Sequence, residues 1–588
     1  MQDNGRMHIV VGPAQDGRGG HLVQGLTGSG DPEGPGVDVP AGELAAFVAD
    51  REEAARRAGS TPPRWTWERT GAVYPQLLAA GVRVERCHDL RLCQAILATA
   101  ATAHGSGVDG PLPYEPVLPP LPADEAPGLL PPPSPAEDQS SLFDLPRATG
   151  PDAAVLVAEL RAQLAAVAGA VDARRLTLLL AAESQGALIA AEMQHAGVPW
   201  REDVHRALLE DALGPEPAPG ERPPRMEETV ARLRETLHAP GLNPDSPQEL
   251  LKAMRAAGID VTSTRQWELV EWARAVPGLA ARRQALIEPV LEHKKQARLL
   301  SANGWHWLAT WVRDGRFRPE YVVGGVVTGR WSARGGGALQ IPHVVRDAVR
   351  ADPGRVLVVA DAAQLEPRVL AALAHDDALA AASRGRDLYQ AIADLGEERG
   401  SELTERPQAK VAMLGAMYGA TTGQSGRLMP HLARMFPRAV DYVEQAARVG
   451  ETGGQVRTHL GRWSPLPGPA WDAAQRDTAT EEAERRAGAM VRGQGRFTRN
   501  FVVQGTAAEW AVCWMGAVRS ALAREAVDAE LVFFLHDEVV LHCAREDAER
   551  AAELVRECAE RAARLVFGRI PVEFPVSVAV VESYADAK

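Results

Sequence analysis

Two apolar runs set the strongest limit on how this chain folds. In VLVVADAAQLEPRVLAAL, the residues Val356 to Val359 read as a buried strand running into Asp361, and Glu366 then opens a helix with Arg368. Far downstream, LVFFLHDEVVLHC holds two apolar β runs interrupted by His536, Asp537 and Glu538. A carboxylate at the end of a buried strand must be paired, hydrogen-bonded or bound to a cation. A charged pair at a hairpin tip is ordinary turn chemistry, and alone the second run needs nothing more. Two strand-borne aspartates in one chain allow more. Carboxylates on neighbouring strands can hold two divalent cations about 3.5–4 Å apart, which activates a hydroxyl and stabilises a leaving phosphate.

Between these runs lies RPQAKVAMLGAMYG, where Arg406, Lys410, Leu414 and Met417/Tyr418 recur every three to four residues and share a helix face. Only five of the 64 basic residues are lysines, and Lys410 is the only one between Lys295 and Lys588. In so arginine-biased a chain, a retained lysine marks a place for a compact ammonium rather than a guanidinium fork. Two cations, then an apolar and an aromatic residue, match a nucleoside triphosphate read as phosphates, sugar and base. An amphipathic helix with snorkelling charges is the plainer alternative.

The 588 residues suffice for three to four domains, and 45% hydrophobic with 24% charged residues is a globular composition. The net charge of −13 excludes a histone-like coat on nucleic acid. Between Arg282 and Arg350, however, twelve Arg and Lys stand against five Asp and Glu, as a phosphate-tracking groove requires. Five cysteines without paired spacing exclude a disulfide scaffold and a zinc ribbon. The N-terminus lacks signal-peptide regions and no apolar run of about 18 residues is apparent, so neither export nor a membrane span is expected.

Six segments are expected. Residues 1–104 alternate apolar runs and helical patterns as a small α/β unit. Residues 105–150, rich in Pro and Gly, read as a semi-rigid linker without a core. Helices dominate 151–320, strands and a helix follow over 321–375, helices fill 376–498, and 499–588 holds a strong helix, the hairpin, a helix and a final strand.

In order, these segments resemble the family A DNA polymerases, the bacterial DNA polymerase I group. AAESQGALIAAEMQHAGVPW is similar to the helix entering the polymerase region, and LNPDSPQELL to the thumb. TGRWS with LQIP is similar to the segment before motif A, DAAQLEPR to motif A and RPQAKVAMLGAMYG to motif B. RNFVVQGTAAEW is similar to the helix after the fingers, and LHDEV to motif C. The resemblance implies an α+β right hand: thumb within 151–320, palm in 321–375 and 499–588, fingers in 376–498. It further implies that Asp361, Asp537 and the backbone of Ala362 hold two Mg²⁺, for which Mn²⁺ can substitute. Glu538 would support the primer terminus, and Glu366 would be a steric gate against the ribose 2′-hydroxyl. Arg406 and Lys410 would bind the triphosphate, Leu414 the sugar, and Tyr418 would abut the templating base. Arg330, Gln340, Arg496, Asn500, Gln504 and His536 would line primer, template or nucleotide. Primed DNA and dNTPs are the expected partners of a monomer in the bacterial cytoplasm, beside the nucleoid. Three departures stand out: Ala362 replaces an aromatic residue, Pro367 an aliphatic one, and Leu414 the ring that packs on the incoming sugar.

The N-terminal unit is similar to the family's ribonuclease H-like 3′–5′ exonuclease domain, through RWTWERTGAVYPQLLAAGVRVERCHDLRLCQAIL. That chemistry needs strand-borne acids for two metals. MHIVVGPAQ carries none, Asp31 and Glu33 sit in a Gly/Pro loop, Asp50 and Glu52 in a helical pattern, and Asp89 reads as a helix N-cap. A catalytically degenerate domain is expected, with no room for a 5′ nuclease domain. The expectation is a DNA polymerase for repair or gap filling without proofreading. Alternatives are a non-catalytic DNA-binding scaffold, against which Asp361, Asp537 and Lys410 argue, and a phage-type RNA polymerase, against which Glu366 argues.

Overall fold

The computed structural model describes residues 7–14, 20–103, 111–120, 150–334, 341–385, 387–420, 423–477 and 479–587. Near the N-terminus, β1 (His8–Pro13), β2 (His21–Leu26) and β3 (Val37–Val39) form an antiparallel meander. β4 (Arg64–Trp67) and β5 (Arg86–Asp89) add parallel strands beyond β1, giving the order β3-β2-β1-β4-β5. Helices α1 (Leu44–Arg57), α2 (Thr70–Ala79) and α3 (Leu90–Ala101) connect and follow these strands. β4 is buried on both faces, as parallel strands are. Trp65 and Trp67 stay buried because their indole N–H groups donate to Glu52 (2.8 Å) and Thr70 (2.9 Å). Asp89 caps α3 as expected, accepting from Leu92 N–H at 3.0 Å.

The segment expected to be a coreless linker is partly packed. Residues 121–149 lie outside the described residues, but Tyr114 and Leu118 are buried. Glu159 of α4 (Ala153–Ala168) is the cause. It accepts from the Tyr114 hydroxyl and from the N–H groups of Val117 (2.7 Å) and Leu118 (3.0 Å). A second expectation is corrected by α5 (Ala173–Ala196), which is long and apolar enough to cross a membrane by length and composition alone. Most of that apolar stretch is instead buried in protein, and its acids meet arginines: Glu183 pairs with Arg462 and Glu192 with Arg519, both at 2.6 Å.

The chain divides into two compact units that do not follow the six linear segments. One comprises Val198–Arg318, Gly335–Pro353 and Glu582–Lys588. It contains β6 (Val198–Pro199), α6 (Glu202–Leu213), α7 (Pro224–Thr236), α8 (Pro247–Ala256), α9 (Gln266–Arg274), α10 (Ala280–Asn303), α11 (Trp305–Trp311), β7 (Val312–Arg313) and β8 (Arg316–Phe317). Its helical core gathers Leu233, Leu250, Met254, Leu269, Ile287 and Val290. α10 carries Arg282, Arg283, Lys294, Lys295 and Arg298 of the basic stretch read from the sequence.

The other unit holds the N-terminal layers and everything that forms the candidate site. β9 (Glu320–Val322) pairs β10 (Ser332–Arg334), and β11 (Arg355–Ala362) precedes α12 (Leu365–Ala374) and α13 (Asp377–Ala382). Then come α14 (Leu388–Glu398), α15 (Arg406–Tyr418), α16 (Gly423–Met435), α17 (Pro437–Glu451), α18 (Pro469–Arg476) and α19 (Glu481–Glu525). β12 (Ala529–Leu535), β13 (Glu538–Ala544), α20 (Ala548–Phe567) and β14 (Val576–Val581) complete an antiparallel sheet of order β12-β13-β11-β14. One hydrophobic core runs from Cys93, Ile96 and Leu97 of α3 through α5, β11 and α19 to α20, whereas the N-terminal sheet packs around its own core of Val11, Trp65, Trp67, Tyr74 and Leu77, which Leu188 of α5 joins. The expected boundary at 498/499 falls inside α19, a 45-residue helix capped by Thr480 (3.1 Å to Ala483 N–H) with Glu481, Glu482 and Glu484 in its first turn. The boundary at 320/321 falls inside β9.

Candidate active site

The central strand β11 is apolar from Val356 to Ala360 and therefore buried, and its polar end emerges at Asp361. β13 runs antiparallel beside it with Asp361 opposite Glu538. The tight turn between β12 and β13 holds His536 at φ 57°, and Ala362 N–H donates to the Asp537 carbonyl at 2.8 Å. Register and turn together bring Asp361, Ala362, Asp537 and Glu538 to one end of the sheet. Asp361 and Asp537 are partly exposed, whereas Glu538 is buried. Tyr321 of β9 pins the hairpin from behind, donating to the Phe534 carbonyl and accepting from its N–H, both at 2.9 Å.

Past β11 the chain turns sharply through Gln364, a non-glycine residue at φ 49°, and α12 begins. The buried Arg368 holds this turn: it donates to the carbonyls of Ala363 (2.9 Å), Glu573 (3.0 Å) and Ser383, and to Gln364 Oε1 (3.2 Å). Glu366, in the first turn of α12, accepts from Arg330 through Oε1 and from the Tyr418 hydroxyl through Oε2 at 2.6 Å. Burial and the Glu366 hydrogen bond push the Tyr418 phenol up to about 12, while the Gln504 side chain opposes them. His536 belongs to the same cluster: burial, then the Arg330 charge, lower its pKa while Glu366 opposes them.

α15 presents Arg406, Lys410, Leu414 and Tyr418 along its open side at four-residue spacing. Met417, the alternative end of that face, is instead fully buried. Among the described residues Lys410 forms no ion pair or hydrogen bond. The helix ends at Gly419, φ 70°, where a Cβ would lie 2.8 Å from Arg496 Cγ, so glycine is required and Arg496 sits against this end. Arg499 completes the joint, donating to the Ala416 carbonyl at 2.9 Å and pairing with Glu444 at 2.5 Å. Arg496, Asn500 and Gln504 line one side of α19 at four-residue spacing. Gln340 lies outside the described residues.

Three residues at this site were not legible as such in the sequence. Asp387 caps α14 and pairs with Arg406 at 2.8 Å. Gln364 donates to Asp387 at 3.0 Å. Tyr389 lies under Arg406, 5.8 Å from guanidinium carbon to ring centroid. Burial and the charges of Glu366, Tyr418 and Asp387 push its phenol up to about 12. The D-L-Y-Q string announces only a capped helix.

The model of DNA polymerase family A matches residues 221–586, which include every site residue named above. The chain belongs to DNA polymerase family A. It is 30% identical over 266 residues to DNA polymerase I of Chloroflexus aurantiacus, covering 42% of this chain and 27% of that protein. It is 27% identical over 302 residues to the Aquifex aeolicus enzyme of the same name, covering 49% and 50%. Against the thermostable DNA polymerase I of Thermus aquaticus the figures are 28% over 300 residues, 47% and 33%. The chain thus spans between about a quarter and half of these relatives' lengths. Its fold is similar to the POL domain of Pol1 from M. smegmatis, solved with DNA primer-template and dNTP. The TM-score is 0.64 at 19% identity, over 100% of this chain and 96% of that one. The family A fold therefore extends over this chain, and the right-hand core expected from the motifs is that fold.

Proposed function

We propose that this chain is a DNA-templated DNA polymerase that extends a primer 3′ end with dNTPs. One observation carries the reading. Asp361 and Asp537 share one end of the sheet, and the α15 face of Arg406, Lys410, Leu414 and Tyr418 is joined to that end through Glu366.

The donor set fits divalent cations. Asp361, Asp537 and the Ala362 backbone offer hard oxygens, the chemistry Mg²⁺ and Mn²⁺ prefer. Among the described residues no group of three or more His, Cys, Asp and Glu is placed to hold a metal ion. An open pair of carboxylates suits Mg²⁺, which is held by one or two carboxylates plus substrate phosphates and water. When bound, two such ions lower the pKa of the primer 3′-hydroxyl and neutralise charge on the leaving pyrophosphate. The protein's part is to orient. Asp361 and Asp537 fix the reacting end, and Lys410 and Arg406 draw the triphosphate along α15. Leu414 covers the sugar, Glu366 crowds a 2′-hydroxyl, and Tyr418 abuts the templating base. Glu538, Arg330, His536, Arg496, Asn500 and Gln504 bear on primer and template.

The N-terminal layers fit a degenerate exonuclease-like domain, and we extend the proposal to an enzyme without proofreading, serving repair or gap filling as a cytoplasmic monomer. β1 bears no acid. Glu52 is buried under Trp65, and Asp89 is consumed by capping α3 and by Thr70 N–H (2.7 Å). Primer extension on a primed template with Mg²⁺ or Mn²⁺ tests the reading: dNTPs should be incorporated and NTPs largely refused. Absence of incorporation with either metal would overturn it.

A further inference from the structure

Asp387 lies outside every motif, yet its carboxylate joins three elements at the phosphate end of α15. Oδ1 caps α14 by accepting from Gln390 N–H at 2.9 Å. Oδ2 accepts from Gln364 Nε2 at 3.0 Å and from Arg406 Nη2 and Nε at 2.8 and 3.2 Å. Gln364 is itself fixed, because its Oε1 accepts from Arg368 (3.2 Å) and Leu388 N–H (3.3 Å). A chain of polar contacts therefore runs from the buried Arg368, through the turn after Asp361, to the first residue of α15.

Arg406 is half exposed on the first turn of its helix, where a long side chain samples many rotamers. Asp387 engages two donors on one edge of the guanidinium, and Tyr389 lies beneath it. Of the five N–H donors in the fork, three remain for a ligand. The carboxylate is held by Gln390 and Gln364 whether or not Arg406 is present, so it acts as a fixed anchor.

We propose that Asp387 is a positioning residue that presets Arg406 to receive the triphosphate of the incoming nucleotide. The inference rests on the polymerase reading above. Its rival is competition, in which Asp387 occupies Arg406 and phosphates must displace it. The two differ in sign: loss of a preset weakens nucleotide binding, and loss of a competitor strengthens it.

Steady-state primer extension by the full chain separates them. Asp387→Asn keeps the size and the capping oxygen but loses the charge, and Asn caps helices as well as Asp. We expect its KM for dNTP to rise about 5–20-fold with kcat within about twofold, the pattern of a lost binding orientation. In an Arg406→Ala background the same change should add less than about twofold, because the two residues act as one unit. Arg406→Lys leaves the α14 cap untouched and should raise KM nearly as far as Asp387→Asn, since an ammonium cannot be held by its edge. Equal effects of Asp387→Asn in both backgrounds, a lowered KM, or a wild-type KM for Arg406→Lys would each overturn the proposal. If Arg406→Ala raises KM while Asp387→Asn does not, the preset alone fails. An unchanged KM in Arg406→Ala removes the triphosphate role of Arg406 as well.

Discussion

Tyr418 donates its hydroxyl to Glu366 at 2.6 Å, tying the last turn of α15 to the first turn of α12. The other oxygen of Glu366 takes Arg330. One carboxylate thus joins the proposed base, sugar and primer contacts. Glu366→Ala should raise NTP incorporation relative to dNTP while loosening Tyr418, and Glu366→Gln, which keeps an acceptor for the Tyr418 hydroxyl, should retain more discrimination than Glu366→Ala. Competition between NTP and dNTP on one template measures this, and equal selectivity in all three proteins would remove the gate from Glu366.

The two aspartates should be separable from DNA binding. Asp361→Asn or Asp537→Asn removes one charge of the proposed metal-binding pair and leaves the basic residues intact. Either change is expected to abolish incorporation while affinity for primed template stays within about tenfold. Full-rate extension by either variant would sink the two-metal assignment.

The leucine at the proposed sugar position of α15 gives a third test. Leu414 is half-buried and its side chain offers less face than an aromatic ring. A change in apolar contact of this size is worth about 1–3 kcal/mol, roughly 10–200-fold in selectivity. Leu414→Phe should therefore tighten apparent dNTP affinity and narrow the range of sugar-modified analogues accepted. No change in either would mean that Leu414 does not face the sugar.

What could be read from the sequence and what could not divide along physical lines. Val356–Asp361 and the hairpin around Asp537 were legible because apolar runs of strand length read as buried strands, and two such runs that both lead into an aspartate point to one site. The α15 face was legible because four-residue spacing is a local property. Arg368 looks like any charged helix residue until the distant carbonyls of Ser383 and Glu573 enclose it. Asp387 caps a helix with one oxygen, and nothing local reveals that the other takes an arginine 19 residues away. Tyr114 and Leu118 sit in a Pro-rich stretch whose composition says loop, and only Glu159, more than 40 residues on, explains their burial.

The N-terminal layers should be inseparable from the core. Arg519 of α19 is buried and donates to Glu192 (2.6 and 2.9 Å) and to the carbonyls of Val84 (2.6 Å) and Glu85 (3.0 Å). Glu192 also accepts from Tyr74 (2.5 Å) and Arg83 (2.6 Å). Burial pushes the Glu192 carboxyl up, but Arg519 and Arg83 outweigh it and hold it at about 2. Its stabilisation is present above the unfolded value of 4.5 and is lost as pH falls through about 2. Arg519→Met leaves a buried carboxylate short of its main partner and should cost about 3–5 kcal/mol in denaturant unfolding. A loss under about 1 kcal/mol would show that the network contributes little.

The last prediction concerns Glu509, one side of a buried cluster on α19. It accepts from the Thr458 hydroxyl and from Leu460 N–H at 3.0 Å, while Arg462 nearby is engaged by Glu183 at 2.6 Å. Arg462 is thus held by Glu183 and reaches Glu509 only through its charge, and the cluster favours keeping one of the two carboxyls protonated. Burial pushes Glu509 up to about 7, against the hydrogen bonds from Thr458 and Leu460, and burial raises Glu183 as well. Between the unfolded value of 4.5 and about 7 the folded protein therefore binds more protons than the unfolded chain. The sign follows: stability is fully present below 4.5 and declines as pH rises through about 7. The decline attributable to Glu509 is on the order of 3 kcal/mol. Glu509→Gln cannot ionise, so its denaturant midpoint should vary less between pH 5 and 8, and at pH 8 it should match or exceed the parent protein. Parallel pH profiles for the two proteins would show that Glu509 is ionised in the folded state throughout this range, with Arg462 shared rather than reserved for Glu183.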